Sequence, residues 1–237
     1  MWEPSQVLDW LGITWNSLLG TLKIADRRIT KITNTIDRII EADFKISAQE
    51  LASFTGQIIS TAPEVGNVGR IMTRHCVMST LSVDKWDSVF CLDDYCREEV
   101  NFWKDNLINL NSRNCFVSKD PNYFIYSDAS ATGDGAFIDF NNDFVCHKVW
   151  TENESLQSST WSELSVIEFS LQSFATLLEG SHIKWYTDSQ GAATVVEVGS
   201  MKFDLHRVAR SIFSICMQFG IHLGVQWIPR SLNQQAD

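Results

Sequence analysis

No run of about 20 apolar residues occurs in this chain, and its opening MWEPSQVLDW lacks the basic flank and long apolar stretch of a secretory leader. A membrane span is therefore not expected, and a soluble, intracellular protein is. The six cysteines (Cys76, Cys91, Cys96, Cys115, Cys146, Cys216) include no C-x-x-C pair, and the five histidines show no zinc-like spacing. Free thiols in a reducing compartment fit this better than a disulfide framework. Internal repeats and low-complexity tracts are also missing. What remains is a 237-residue chain, 44% hydrophobic, with enough apolar material for one large core or two modest ones.

Positive charge is scarce as well, since the formal net charge is −10. Its distribution is uneven. Residues 1–119 hold 13 Lys/Arg against 15 Asp/Glu, whereas residues 120–237 hold 6 against 14. An acidic total disfavours a simple nucleic-acid-binding surface. A site that holds divalent cations needs clustered carboxylates, however, and can face a phosphate despite the total. Most of these acids read as solvated surface; those set among apolar residues do not.

The first half reads as a small hairpin followed by helices. QVLDWLGITW and TLKIA, joined by the turn-like NSLLG, read as two short strands. Ile29, Ile32, Ile36, Ile39 and Ile40 then recur at helical spacing, with Arg27, Arg28, Lys31 and Arg38 on the other faces. Ser47-Ala-Gln-Glu50 has the form of a capping box and predicts a helix carrying Leu51, Phe54 and Ile58 inward. Pro63 opens a further predicted helix through Ile71, His75 and Met78, and Asp93 or Asp94 caps one with Cys96, Val100, Trp103 and Leu107 as its stripe. The polar stretch after it places a linker at about 111–121, between a unit over 1–115 and one over 120–237.

The second half alternates differently. YFIYSD, GAFIDF and FVCHKVW predict an antiparallel three-strand meander. A helix from about Ser159 to Leu178, strand IKWYTD, a short helix from Gln190, a longer one over 202–219 and strand HLGVQWIP follow. The order βββαβααβ implies an α/β fold, a mixed five-stranded sheet with flanking helices.

Asp128 and Asp188 each end an apolar strand, which is where sites collect in α/β sheets. Glu163 stands above Ile167, Leu171, Phe174 and Leu178 at helical spacing, hence on the buried face of its helix. A buried carboxylate needs an arginine, a proton or a metal to compensate it. Alone it reads as a structural acid at a helix start, favoured by the macrodipole; with two strand-end aspartates it reads as part of a site.

YSDAS with its Gly-containing hairpin, WSELSVIEFSL, WYTDSQGAATVV and WIPRSLNQQAD together resemble, in order, the four motifs of RNase H domains. The resemblance covers about 115 residues. It implies Asp128, Glu163, Asp188 and Asp237 as the carboxylates that hold two Mg²⁺ or Mn²⁺ ions about 4 Å apart. Asp128 would bridge, Glu163 and Asp237 would flank opposite ions, and Asp188 would complete the set. Ser189 and Gln190 become neighbours of the site. The implied activity is endonucleolytic hydrolysis of the RNA strand of RNA–DNA hybrids, RNA being recognised through its 2′-hydroxyls.

PSQVLDWLGITWN and the basic helices after it are similar to the end of a reverse transcriptase and its thumb or connection. ELASFTGQIISTAPEVGNVGRIM and the segment Glu99 to Trp103 resemble DIRS-like retrotransposon polyproteins. That resemblance implies a polymerase palm upstream as partner. Cys91-Leu92-Asp93-Asp94 has the outline of a polymerase Y-x-D-D but lacks the tyrosine and reads as a helix cap, so the chain is not expected to polymerise DNA. Lys23, Arg27, Arg28 and Lys31 are the candidates for contact with a nucleic-acid backbone, against ordinary surface charge. Trp161, Phe174, Trp185 and Trp227 sit in apolar patterns and read as core.

The sequence departs from the family pattern in two places. Ile228-Pro229-Arg230-Ser231-Leu232 carries no histidine where many members have one, and Arg230 stands there as a phosphate contact or a solvent-facing charge. Asp237 is the last residue, so a free carboxylate lies beside the expected site, and cleavage is expected to be weaker than in a chain extended past it. A remnant that binds nucleic acid or a polymerase without cutting is the chief rival. An integrase-like transposase is a third reading, disfavoured by the strand-borne T-D-S and the final N-x-x-A-D.

Overall fold

The computed structural model describes residues 4–114, 120–139 and 144–233, and the chain divides into two compact units, Met1–Ser118 and Lys119–Asp237. Among the described residues no helix is long and apolar enough to cross a membrane. The described cysteines are all free thiols; Cys115 lies outside the described residues.

In the first unit, QVLDWLGITW is not one strand but a hairpin. β1 (Val7–Trp10) and β2 (Ile13–Asn16) pair antiparallel around Leu11 and Gly12, at φ 53° and 82°. A two-residue turn with both φ values positive matches the twist of the flanking strands, which is why the chain reverses there without an Asn-Gly signal. β3 (Thr21–Ile24) continues the sheet. Residues expected to be linker add a short edge strand to it, β6 (Arg113–Asn114): Arg113 pairs with Leu22, and the Asn111 side chain accepts from the Ile24 N–H at 2.6 Å.

Helix α1 (Asp26–Glu41) buries Ile32, Thr35, Ile36 and Ile39. β4 (Lys45–Ser47) pairs with β5 (Val89–Cys91), and α2 (Ala48–Ile59) starts at the expected capping box. There Ser47 Oγ accepts from the Glu50 N–H, and the Glu50 carboxylate from that of Ser47. The single helix predicted from Pro63 is broken into α3 (Ala62–Val65), α4 (Val68–Ile71) and α5 (Arg74–Leu81). Gly66 at φ 80° and Thr73 at φ −142° leave helical geometry between the pieces. α6 (Asp94–Asn106) is capped by Asp93, whose carboxylate accepts from the Cys96 N–H at 2.8 Å. Cys96, Val100, Trp103 and Leu107 form its buried stripe as predicted.

Glu99 on α6 is fully buried, and its two oxygens accept from the backbone N–H groups of His75 (2.9 Å) and Cys76 (3.0 Å). α5 has no side-chain cap of its own, so a carboxylate from another helix satisfies its first turn.

The second unit has the predicted α/β architecture. β7 (Tyr123–Ala129), β8 (Gly133–Ile138) and β9 (Val145–Val149) form the antiparallel meander. A short α7 (Glu152–Ser155), not anticipated, precedes α8 (Ser159–Leu178). β10 (His182–Thr187), α9 (Gln190–Val198), α10 (Phe203–Phe219), β11 (His222–Trp227) and a 3-10 turn (Arg230–Leu232) complete it. The strand order is β11-β10-β7-β8-β9, with β10 parallel to both β7 and β11.

α8 lies on the sheet and against α10, closing a core that includes Ile125, Ile138, Leu164, Ile167, Leu171, Trp185 and Ile212. Each fully buried aliphatic side chain contributes on the order of 1.5–3 kcal/mol. Gly133 on β8 has no room for a side chain against β9, since an added Cβ would lie 2.5 Å from the Lys148 carbonyl oxygen. On the sheet, Tyr126 stacks on Phe137 at 5.3 Å and leans on Tyr186 at 4.9 Å between centroids.

Candidate active site

Three of the four expected carboxylates meet. Asp128 closes β7, Asp188 follows β10, and Glu163 projects from the second turn of α8; an oxygen from each lies within 4.8 Å of the other two. Asp237 lies outside the described residues. Local sequence explains each placement. Ser158 starts α8 by accepting from the Trp161 N–H, which sets the phase that turns Glu163 inward with Ile167 and Leu171. Ser189 starts α9 immediately after Asp188, its hydroxyl accepting from the Ala192 N–H at 3.2 Å.

Glu163 is only 7% exposed. Burial, reinforced by the charges of Asp128 and Asp188, pushes its carboxyl up to about 8, while a hydrogen bond from the Thr187 hydroxyl (3.2 Å) and one from the Ala129 backbone pull the other way. A carboxyl held protonated by burial and by neighbouring carboxylates is one that a cation would ionise. The donor set is all oxygen, the preference of a hard divalent ion, so these residues fit Mg²⁺ or Mn²⁺.

The strands part just where the site opens. The β7–β10 ladder ends at the pair Tyr126–Tyr186, two residues short of Asp128 and Asp188. Just past that point the strands are still tied by Trp185, the ladder partner of Ile125, whose indole N–H reaches forward to donate to Ser127 Oγ at 2.8 Å, both Trp185 and Ser127 being fully buried. Beyond it, two residues reach back, one that sequence reasoning did not single out and one that it read as core. The Asn233 side-chain amide donates to the Ser127 carbonyl at 2.9 Å, and the Trp227 indole N–H donates to the Asp188 carbonyl at 2.9 Å. Trp227, expected in the core, is instead 46% exposed, because its strand face lies at the sheet rim. The only sequence signal for Asn233 was its place at the head of N-x-x-A-D; Trp227 gave none.

The remaining expected contacts are spread over the surface. The Ser189 hydroxyl is occupied as a cap, Gln190 is exposed at the start of α9, and Arg230 is exposed in the 3-10 turn. In the first unit Lys23, Arg27 and Lys31 are exposed, and Arg27 and Lys31 line an open groove along α1 with Thr30, Asn34 and Arg38. Arg28 turns inward. Its guanidinium bonds the Ser60 hydroxyl and lies 3.6 Å from the carboxylate of Glu64, whose buried carboxyl is pushed up by desolvation despite that neighbour.

A second buried acid was also missed. Asp134 on β8 is 7% exposed and neither oxygen meets a hydrogen-bond partner of good geometry; burial pushes its carboxyl up to about 6, against the pull of Lys148. The Lys148 ammonium is itself engaged by Glu154 at 2.5 Å.

No protein-family model and no curated protein matches the chain. Solved structures do resemble it. RNase H1 from the halophilic archaeon Halobacterium salinarum NRC-1 is 14% identical over 48% of this chain and 89% of its own, with a TM-score of 0.38. The N-terminal RNase H domain of a Mycobacterium tuberculosis protein is 18% identical over 50% of this chain and 89% of its own, at 0.37. A foamy viral protease-reverse transcriptase solved with an RNA/DNA hybrid is 14% identical over 93% of this chain but only 29% of its own, at 0.35. At these TM-scores the overlap is loose, and it is the chain's own carboxylate geometry that bears on function.

Proposed function

We propose that the second unit is a metal-dependent endoribonuclease that hydrolyses the RNA strand of RNA–DNA hybrids, within a retrotransposon reverse transcriptase polyprotein whose palm lies upstream. The carrying observation is the meeting of Asp128, Glu163 and Asp188, three carboxylates remote in sequence, with an oxygen of each within 4.8 Å of the others. The four ordered motifs that resemble RNase H support the same reading, with Asp237 as the fourth ligand.

Asp128, Glu163 and Asp188 would hold two Mg²⁺ or Mn²⁺ ions. Bound there, the ions supply Lewis-acid stabilisation of the charge that develops on a phosphodiester during hydrolysis. Asp128 and Asp188, at the mouth of the sheet, face substrate, while Glu163 anchors the site from the buried side and gives up its proton when loaded. Lys23, Arg27 and Lys31 on the first unit, read as thumb- or connection-like, are the residues proposed to meet the nucleic-acid backbone, with Arg230, Ser189 and Gln190 near the site.

The test is cleavage of an end-labelled RNA–DNA hybrid in Mg²⁺ by the chain and by Asp128→Asn. Loss of at least a hundredfold in the variant is expected. Activity untouched by Asp128→Asn would remove the site, and hybrid binding without cleavage by either protein would favour a non-cutting remnant.

A further inference from the structure

Asn233 and Trp227 stand where the β7–β10 ladder ends. Past Tyr126 and Tyr186 no ladder rung joins β7 to β10, yet the Ser127 residue whose carbonyl is left over is fully buried. A buried carbonyl without a donor costs about 1–3 kcal/mol. The Asn233 amide fills that place from 106 residues away in sequence, and Asn233 is itself 1% exposed. On the other strand the Trp227 indole donates to the carbonyl of half-buried Asp188, and the Ile228 N–H bonds the Thr187 carbonyl at 2.9 Å.

The two bonds fall on the backbone at Asp188 and at the residue before Asp128. Neither donor is among the grouped carboxylates. The Asn233 Oδ1 meets no partner among the described residues, so its donor half is what the fold uses.

We infer that Asn233 and Trp227 are positioning residues that set the separation of the Asp128 and Asp188 carboxylates, each tethering one strand tip, Asn233 that of β7 and Trp227 that of β10, to β11 and the turn after it where no rung joins the tips directly. The inference rests on the nuclease reading for its consequence, cation binding, but not for its geometry. Residues that orient metal ligands from behind typically contribute 10–100-fold to affinity.

The experiment uses the full chain, wild type, Asn233→Leu and Trp227→Phe. Leu keeps the branched shape of Asn233, at a larger volume, and removes its polar amide; Trp227, half-exposed, can lose its indole N–H without opening the core. Mn²⁺ affinity is read by electron paramagnetic resonance of the free ion, and amide shifts at 127–129 and 187–189 by NMR of the metal-free protein. Expected are displaced amides in both variants, about tenfold weaker Mn²⁺ binding, and a lower kcat at unchanged KM for hybrid.

A merely structural role would lower Tm and leave Mn²⁺ affinity alone; folded variants with wild-type affinity overturn the inference while the nuclease reading stands. Should Asn233→Leu not fold, Trp227→Phe alone decides. A wild type that takes up no Mn²⁺ overturns the nuclease reading, and unmoved amides in the metal-free variants overturn the positioning role independently.

Discussion

The protonation of Glu163 makes the metal-free protein destabilise itself as pH rises, and Glu163→Gln should abolish that behaviour. The folded carboxyl titrates at about 8, against an ordinary value of 4.5 in the unfolded chain. Between those values the native state keeps a proton that the unfolded state releases, so stability is fully present below pH 4.5 and is lost as pH rises, levelling off above 8. Each unit of separation is worth about 1.36 kcal/mol. At pH 7 the gap from 4.5 therefore costs on the order of 3 kcal/mol. Glutamine keeps the shape and the bond from Thr187 without the ionisation. For a unit of this size the difference is on the order of 10 °C in Tm.

Calorimetry of both proteins in EDTA at pH 4.5, 7 and 8.5 measures it: the variant should be more stable at the two higher pH values and equal at the lowest. Millimolar Mg²⁺ should then raise the wild type and leave Glu163→Gln almost unmoved, because a ligand stabilises only the state that binds it. A stability difference that is the same at every pH would refute the reasoning.

Asp134→Asn should stabilise the protein by up to about 3 kcal/mol at pH 7–8 and by nothing at pH 3.5, since its carboxyl moves from 3.8 to about 6 on folding and the cost appears across that window; urea unfolding at the two extremes checks this. Glu99→Gln should cost about 2–3 kcal/mol in the unfolding of the first unit, because one of two charge-assisted bonds to the His75 and Cys76 N–H groups is lost. Gly133→Ala should destabilise by about 1–3 kcal/mol, its methyl meeting the Lys148 carbonyl, and amide exchange should quicken across β8 and β9.

Where local chemistry decides structure, the sequence was readable. Ser47 and Glu50 cap α2, Asp93 caps α6, and α8 runs from Ser159 to Leu178 as its periodicity predicts. Glu163 was legible for the same reason: a helix fixes which face a residue shares. The hairpin turn at Leu11 and Gly12 was not, since Leu at positive φ gives no composition signal. The break of the Pro63 helix depends on Gly66 and Thr73 adopting conformations that packing selects. Asn233, Trp227 and Glu99 escaped because their partners lie 106, 39 and 24 or 23 positions away, and no spacing along a chain encodes a donor that closes across the fold.

The carboxylate that α6 lends to α5 also bears on the order in which the first unit assembles. Eight residues are too few to hold a helix in water unaided, and Arg74–Leu81 lacks a cap of its own. It gains one only when Glu99, more than twenty residues later, has docked. A nascent polypeptide released up to Leu81 should therefore leave that turn frayed, and its ordering should coincide with the arrival of α6 rather than precede it.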